Sequence, residues 1–226
     1  MRMLTNERLY KRNTRLAFAA NLAGMFFLVA SIYVLFSGDE QFGLYLLFLI
    51  LGIIFMQIGI YFNRWNRRPD LGLNHALKSL DDSYTLYHYR TPVSHLLLGP
   101  TGVWILLPRH TRGTITYEAD KKRWRAKGGA WLARLSQEGI GKPLLEAAWE
   151  AEALDKFLEK SWKDKTALRV QAALVFVDEQ ADVQAGNAPI PTVSIKKLKQ
   201  ILLKADEKSR LTRDQIKALS GLFEAK

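Results

Sequence analysis

The sequence predicts a mixed α/β domain carried on a helical hairpin long enough to cross a membrane, and three observations predict it. Leu16 to Phe36 and Phe42 to Phe62 are uncharged apolar stretches of 21 residues each, the length a helix needs to traverse a hydrocarbon core of about 30 Å. From Thr85 to Arg125 the chain breaks into short β-type runs separated by turn pairs such as Thr91-Pro92 and Gly99-Pro100. From Pro143 onward, Leu144, Ala147, Ala148, Ala151, Leu154 and Leu158 recur on one helical face.

The apolar stretches come first. A short "SGDEQ" joins them, so they form an antiparallel pair around a tight turn that carries Asp39 and Glu40 and no base. Arg2, Arg8, Lys11, Arg12 and Arg15 precede the first span, and Arg64, Arg67 and Arg68 follow the second. This Lys/Arg bias places both ends of the hairpin, and both chain termini, in the cytoplasm of a cell-membrane protein with two spans. The first run is too long for a signal peptide, lacks a small-x-small cleavage site and is followed at once by a second span. Asn21 and Gln57, one amide per span, read as bonds between helices rather than as a transport path, and Tyr61 and Trp65 as interfacial anchors. The hairpin is an anchor.

After "NRRPD", the residues Leu71, Leu73, Ala76, Leu77 and Leu80 give a short helix ending at "DDS". Five strands are then expected: Thr85 to Tyr89, Ser94 to Leu98, Gly102 to Leu107, Thr114 to Tyr117 and Arg123 to Arg125. Val103 to Leu107 is continuously apolar, the pattern of a central strand covered on both faces. Pro143 suits the first turn of a helix that runs to about Trp162. Val170 to Phe176 alternates as a strand leading to a Gly/Asn/Pro-rich loop at 186–191. Ser194 can cap "IKKLKQILLK", and Thr212 to Gln215 has the form of a capping box before a last helix. The boundaries are a basic N-terminus at 1–15, spans at 16–36 and 42–62 around an external turn at 37–41, a basic linker at 63–70, a mixed α/β domain at 71–205 and a C-terminal helix at 206–226.

Composition narrows the chemistry. With 48% apolar residues among 226 the chain can bury a sizeable core. It has no cysteine, which excludes disulfides, thiolate metal sites and cysteine nucleophiles. Lys and Arg outnumber Asp and Glu by 33 to 22, a balance that suits anionic partners, whether nucleic acid or the inner leaflet.

"SHLLLGPTGVWILLPRHTRGTI" resembles the core of the nuclease-related domain, NERD, a relative of the PD-(D/E)XK restriction-endonuclease-like nucleases. His95, Gly99, Pro100, Gly102, Val103, Gly113, Trp124 and Pro143 match that family's pattern in order, over about 75 to 195. The resemblance implies a restriction-endonuclease-like mixed sheet flanked by helices. It also implies a metal site built from an Asp before one strand and a Glu-x-Lys at the end of the next. Here Ser94 stands at the Asp position, Leu107 at the Glu position and Arg109 at the Lys position, with Glu146 near the family's helix Gln. Leu107 coordinates nothing, and a hydroxyl at Ser94 replaces a charged ligand poorly. No catalytic residue, metal or cofactor is therefore expected. Asp81, Asp82, Glu118 and Glu146 are the carboxylates from which a relocated metal site would have to be drawn.

Other constellations fail on spacing. "EGIGKP" would need a Gly at Ser136 and a Ser or Thr at Pro143 to be a phosphate loop. The four histidines have no metal-type spacing, and His95 on a strand reads as a hydrogen-bonded core residue. What remains is basic: Arg109 and Arg112 after the central strand, then "DKKRWRAKGGAWLARL", where Lys121, Lys122, Arg123, Arg125, Lys127 and Arg134 interleave with Trp124 and Trp131. Cations with aromatics suit phosphate contacts and base stacking, and equally suit anionic headgroups. A solvated hairpin with one core Trp accounts for the segment as well, and "KKLKQILLK" carries the same ambiguity. The expectation is a membrane-anchored, catalytically degenerate domain that acts as a binding or interaction module at the cytoplasmic face. Its expected partners are the lipid bilayer, and nucleic acid, anionic headgroups or a protein. An active nuclease with a relocated site and a purely structural membrane-associated protein are the alternatives.

Overall fold

The computed structural model describes residues 1–37, 42–63, 68–128, 139–162, 168–204 and 206–224. The chain forms two compact units, one of residues 7–68 and one that unites residues 1–6 with 69–226.

The first unit is the hairpin. Helix α1 (Glu7–Phe36) and helix α2 (Phe42–Asn63) are both long and apolar enough to cross a membrane. Small residues set their approach: Gly24 lies against Met56, Gly52 against Leu28, and the Asn21 amide fills the space a side chain at residue 59 would need. These pairings run antiparallel, and the Phe27 ring stacks on Phe55 at 5.6 Å. Outward-facing Phe18, Leu22, Phe26, Val29, Ile50, Ile53 and Ile54 leave an apolar exterior. Helix α1 begins at Glu7, nine residues before the apolar stretch, because Arg8 to Arg15 contains no breaker and ordinary helix formers continue the hydrogen-bond ladder.

The second unit is built on a six-stranded mixed sheet, in the order β1-β2-β3-β4-β7-β9. Its strands are β1 (Arg2–Thr5), β2 (Thr85–His88), β3 (His95–Gly99), β4 (Gly102–Arg109), β7 (Val170–Phe176) and β9 (Thr192–Ser194). The expected central strand is central: β4 pairs antiparallel with β3 and parallel with β7. Its side chains alternate between two covered faces. Val103, Ile105 and Leu107 join Leu96, Leu98, Leu174 and Phe176 against helix α4 (Pro143–Ser161) and helix α6 (Arg213–Glu224). Trp104 and Leu106 join Leu97, Ala173 and Val175 against helix α3 (Pro69–Leu77) and helix α5 (Ile195–Leu203). A smaller sheet, β6-β5-β8, packs Ile115 and Trp124 into the first of these cores; it comprises β5 (Gly113–Glu118), β6 (Arg123–Lys127) and β8 (Ala181–Gln184).

Three features depart from the sequence reading. Residues 2–5, expected as part of a basic N-terminus with no strand assigned, form an edge strand paired parallel with β2 from Arg2↔Thr85 to Thr5↔His88. The C-terminal helix belongs to the same unit as the sheet, with Leu219 and Phe223 buried. Strands β8 and β9 lie at either end of the Gly/Asn/Pro-rich loop, each too short to show periodicity. The β3–β4 turn explains one glycine: Gly102 has φ +112°, and a Cβ there would run into the Ser209 carbonyl of the 3-10 turn at 207–209.

Candidate functional site

The positions that the resemblance singles out converge at the C-terminal end of β4. Leu107 is 1% exposed and faces the α4 side of the sheet, packed as core. Two residues on, Arg109 has the same parity, and its guanidinium is bound on every side. Its Nε donates to the Ile140 carbonyl at 3.0 Å, one terminal nitrogen donates to the Pro108 carbonyl at 2.9 Å, and the other forms a short ion pair with Glu146. The residue is 8% exposed. An arginine already satisfied by a carboxylate and two carbonyls presents little to an incoming phosphate.

Pro143 fixes the start of α4 and so sets the direction of Glu146 in its first turn. One turn later the same face brings Glu150 beside the pair. Burial pushes the Glu150 carboxyl up to about 7, and the charge of Glu146 adds to that. The Ser94 hydroxyl and backbone N–H donate to it, and both these bonds and the charge of Arg109 pull the other way. Its Oε2 is buried with no partner. Ser94 precedes β3, which pairs with β4, so sheet register brings residues 94, 107 and 109, the positions picked out by the resemblance, together with two acids from α4. The arrangement can hold a proton and a closed ion pair. It is a poor cage for a hard divalent cation, because residue 107 is a leucine, Glu146 is neutralised by Arg109 and burial favours the protonated form of Glu150.

The other carboxylates proposed for a relocated site are engaged elsewhere. Asp81 accepts from the Ser83 backbone N–H at 2.8 Å in its own turn. Asp82 pairs with the N-terminal amine at 2.6 Å. Glu118 bridges Arg123 and Arg125 at 3.0 Å each across the β5–β6 hairpin, and the hydrogen bond from Arg123 with the nearby positive charges holds its carboxyl below the usual range. Among the described residues no group of three His, Asp or Glu could hold a metal ion.

On the opposite face of the sheet, His88 and His95 meet Nδ1 to Nδ1 at 2.7 Å, and the His88 Nε2 lies 3.0 Å from the Asn74 amide oxygen. Because that oxygen accepts, His88 donates from Nε2 and receives from His95 through Nδ1. Burial, then the neighbouring His88, hold His95 well below its ordinary value. This is the hydrogen-bonded core histidine the sequence suggested, and it ties α3 to the sheet.

The basic segment sorts by strand parity. Trp124 points inward, 7% exposed, and its indole N–H donates to the Thr192 hydroxyl at 3.1 Å; it is a core residue and not a stacking platform. Arg123, Arg125 and Lys127 lie on the other face of β6, opposite Glu118, Thr116 and Thr114 of β5, with Lys121 and Lys122 exposed in the turn. Arg112 is removed from this face by its ion pair with Asp178 at 2.7 Å. Trp65, Trp131, Arg134, Arg64 and Arg67 lie outside the described residues, as does most of the "SGDEQ" turn. Glu150 is the residue that sequence reasoning missed, although it stands four residues from Glu146 on a helix that was expected, and that spacing puts the two on one face.

Comparison with protein-family profiles, curated proteins and solved structures finds no match for this chain.

Proposed function

We propose that this protein is a membrane-anchored interaction module whose domain resembles the NERD scaffold but performs no metal-dependent nuclease chemistry, and that its partner is a polyanion, nucleic acid first. One observation carries this reading. At the end of β4, where a nuclease of that family needs a carboxylate and a lysine around a metal, the chain has buried Leu107 and an Arg109 closed onto Glu146, Pro108 and Ile140. The binding surface is consequently displaced from the former cleft to the solvent face of the β5–β6 hairpin. There Lys121, Lys122, Arg123, Arg125 and Lys127 are countered by Glu118, which two arginines share. Recognition rests on phosphate contacts without sequence readout.

The anchor reading has two supports. Both hairpin helices have the length and hydropathy to span, and β1 and β2, which flank the hairpin in sequence, pair in one sheet. The ends of the hairpin then share a side, and the Lys/Arg distribution makes that side cytoplasmic.

The test uses the full chain in detergent with labelled single-stranded and duplex nucleic acid. Magnesium or manganese should elicit no cleavage. Binding should weaken steeply with salt as fewer condensed counterions are released. Lys121→Gln/Lys122→Gln/Lys127→Gln should weaken it on all sequences alike, and Arg109→Ala should not weaken it at comparable folded fraction. Cleavage abolished by Glu146→Ala or Glu118→Ala would establish a relocated metal site instead.

A further inference from the structure

We infer that the first two turns of α1 form a binding site for the phosphate group of an anionic phospholipid, an inference that rests on the membrane-spanning reading of the hairpin. Arg8, Lys11, Arg12 and Arg15 follow one another at spacings of three, one and three residues, which places them on one side of the helix. All four are exposed. Together with Leu16 and Ala19 they line a groove. Its lining changes from cationic to apolar within about one turn, the profile of a lipid with its headgroup at one end and its chains at the other.

Helix length fixes the depth. At about 1.5 Å per residue, α1 is roughly 45 Å long, and its apolar part covers the hydrocarbon core. The nine residues before Leu16 therefore reach through the headgroup layer, where phosphates lie. Nucleic acid is a worse occupant, since the groove floor at Leu16 and Ala19 continues into outward-facing Phe18 and Leu22, which belong in acyl chains.

The stripe also keeps its charge. Among the described residues of the hairpin unit Glu7 is the one carboxylate, and it is taken by Arg68 at 3.4 Å, whose guanidinium lies 4.2 Å over the Tyr10 ring. Arg12 donates to the neutral Asn13 amide oxygen at 3.4 Å. A lipid phosphate would thus meet four cations whose neighbouring carboxylate among the described residues of this unit, Glu7, is paired with Arg68.

The experiment is native mass spectrometry of the full chain released from detergent after incubation with equimolar phosphatidylglycerol and phosphatidylcholine of matched chains. The phosphatidylglycerol adduct should dominate by on the order of tenfold. Arg8→Gln/Lys11→Gln/Arg12→Gln/Arg15→Gln should reduce that preference to near parity, while Lys121→Gln/Lys122→Gln/Lys127→Gln should retain it. Displacement of the adduct by millimolar inorganic phosphate would make free phosphate the ligand and overturn the lipid assignment; persistence supports it. An absent preference, or a preference that survives the quadruple variant, overturns the site alone. Flotation of both proteins with phosphatidylcholine vesicles separates the two readings, because the uncharged spans remain in the quadruple variant. A wild-type chain that fails to float overturns the anchor and this site with it.

Discussion

Glu150 and His95 are buried titratable groups on opposite faces of one sheet, and their pH dependences have opposite signs. Folding raises Glu150 from 4.5 to about 7, so between those values the folded state holds a proton the unfolded chain has lost. Stability then falls as pH rises through that window, by on the order of 3 kcal/mol in total, and stays at the lower level above it. Folding depresses His95 below 6.5, so stability is full above 6.5 and is lost as pH falls from there toward the folded value. The two slopes oppose each other as pH falls below 6.5. Glu150→Gln, which keeps the shape and the bonds from Ser94 but does not titrate, should therefore raise the melting temperature above pH 7. It should also uncover a loss of stability toward acid that the wild type conceals. Five of the six tryptophans lie between residues 104 and 162, within this unit, so fluorescence during thermal unfolding of the full chain in detergent reads mainly this domain. A variant with an unchanged pH profile would show that Glu150 is not the buried acid described. At this scale the sequence was informative about type and silent about company. Leu107, where the resemblance would put a carboxylate, was legible from the sequence, whereas the Glu146 carboxylate that satisfies Arg109 comes from another element and needed the fold to be seen.

Among the elements, those with a full period of pattern were legible. The apolar run of β4, the stripe of α4 and the two hydrophobic stretches each repeat their signal several times. Strands β1, β8 and β9 span four residues or fewer, and their pairing partners decide them rather than their own composition. In β1, Arg2 donates to the Tyr84 carbonyl and Asn6 to the His88 carbonyl, both at 3.0 Å. The alternation of a ladder places the Leu4 N–H on the same edge. Leu4 also packs against the α4-side core. Leu4→Pro thus removes a ladder donor and buried apolar surface, and should cost about 3 kcal/mol. Met3→Pro, whose N–H points away from β2, should cost less, as proline does on a free strand edge. Equal losses in melting temperature for the two variants would contradict the pairing. Leu107→Glu belongs here as well. Its carboxylate would enter a face already holding Glu146 and Glu150, so it should be protonated and destabilising rather than a restored metal ligand.

At the scale of the whole molecule the pairing of β1 with β2 bears on the topology proposed for the hairpin. A parallel pair needs a crossover connection, and here the connection between adjacent strands runs through residues 6–84 and contains both long apolar helices. A single span in that connection would leave β1 and β2 on opposite sides of a bilayer, where they could not share a sheet. Two spans, as proposed, would return the chain to the side from which it left. On the proposed membrane-spanning reading, the charge asymmetry argues separately for a cytoplasmic N-terminus and a cytoplasmic domain, and the β1–β2 pairing links the two proposals. A tag inserted between residues 37 and 41 should be reached by an impermeant reagent applied to intact cells, and tags before Met1 and after Lys226 should be reached only after permeabilisation. The dependence can be tested as well. Replacing the uncharged face of α1 so that it no longer inserts, for example with Phe18→Lys, Leu22→Lys and Phe26→Lys, should leave α2 without a partner. The domain would then either lose membrane attachment with β1 still paired or unpair β1 to preserve a single span. The first outcome keeps the N-terminus on the side of the domain and leaves the domain melting temperature unchanged, whereas the second moves the N-terminus across the bilayer and lowers that temperature. An N-terminus that moves to the outside while the domain keeps its full melting temperature would sink the argument that β1 holds the two ends together.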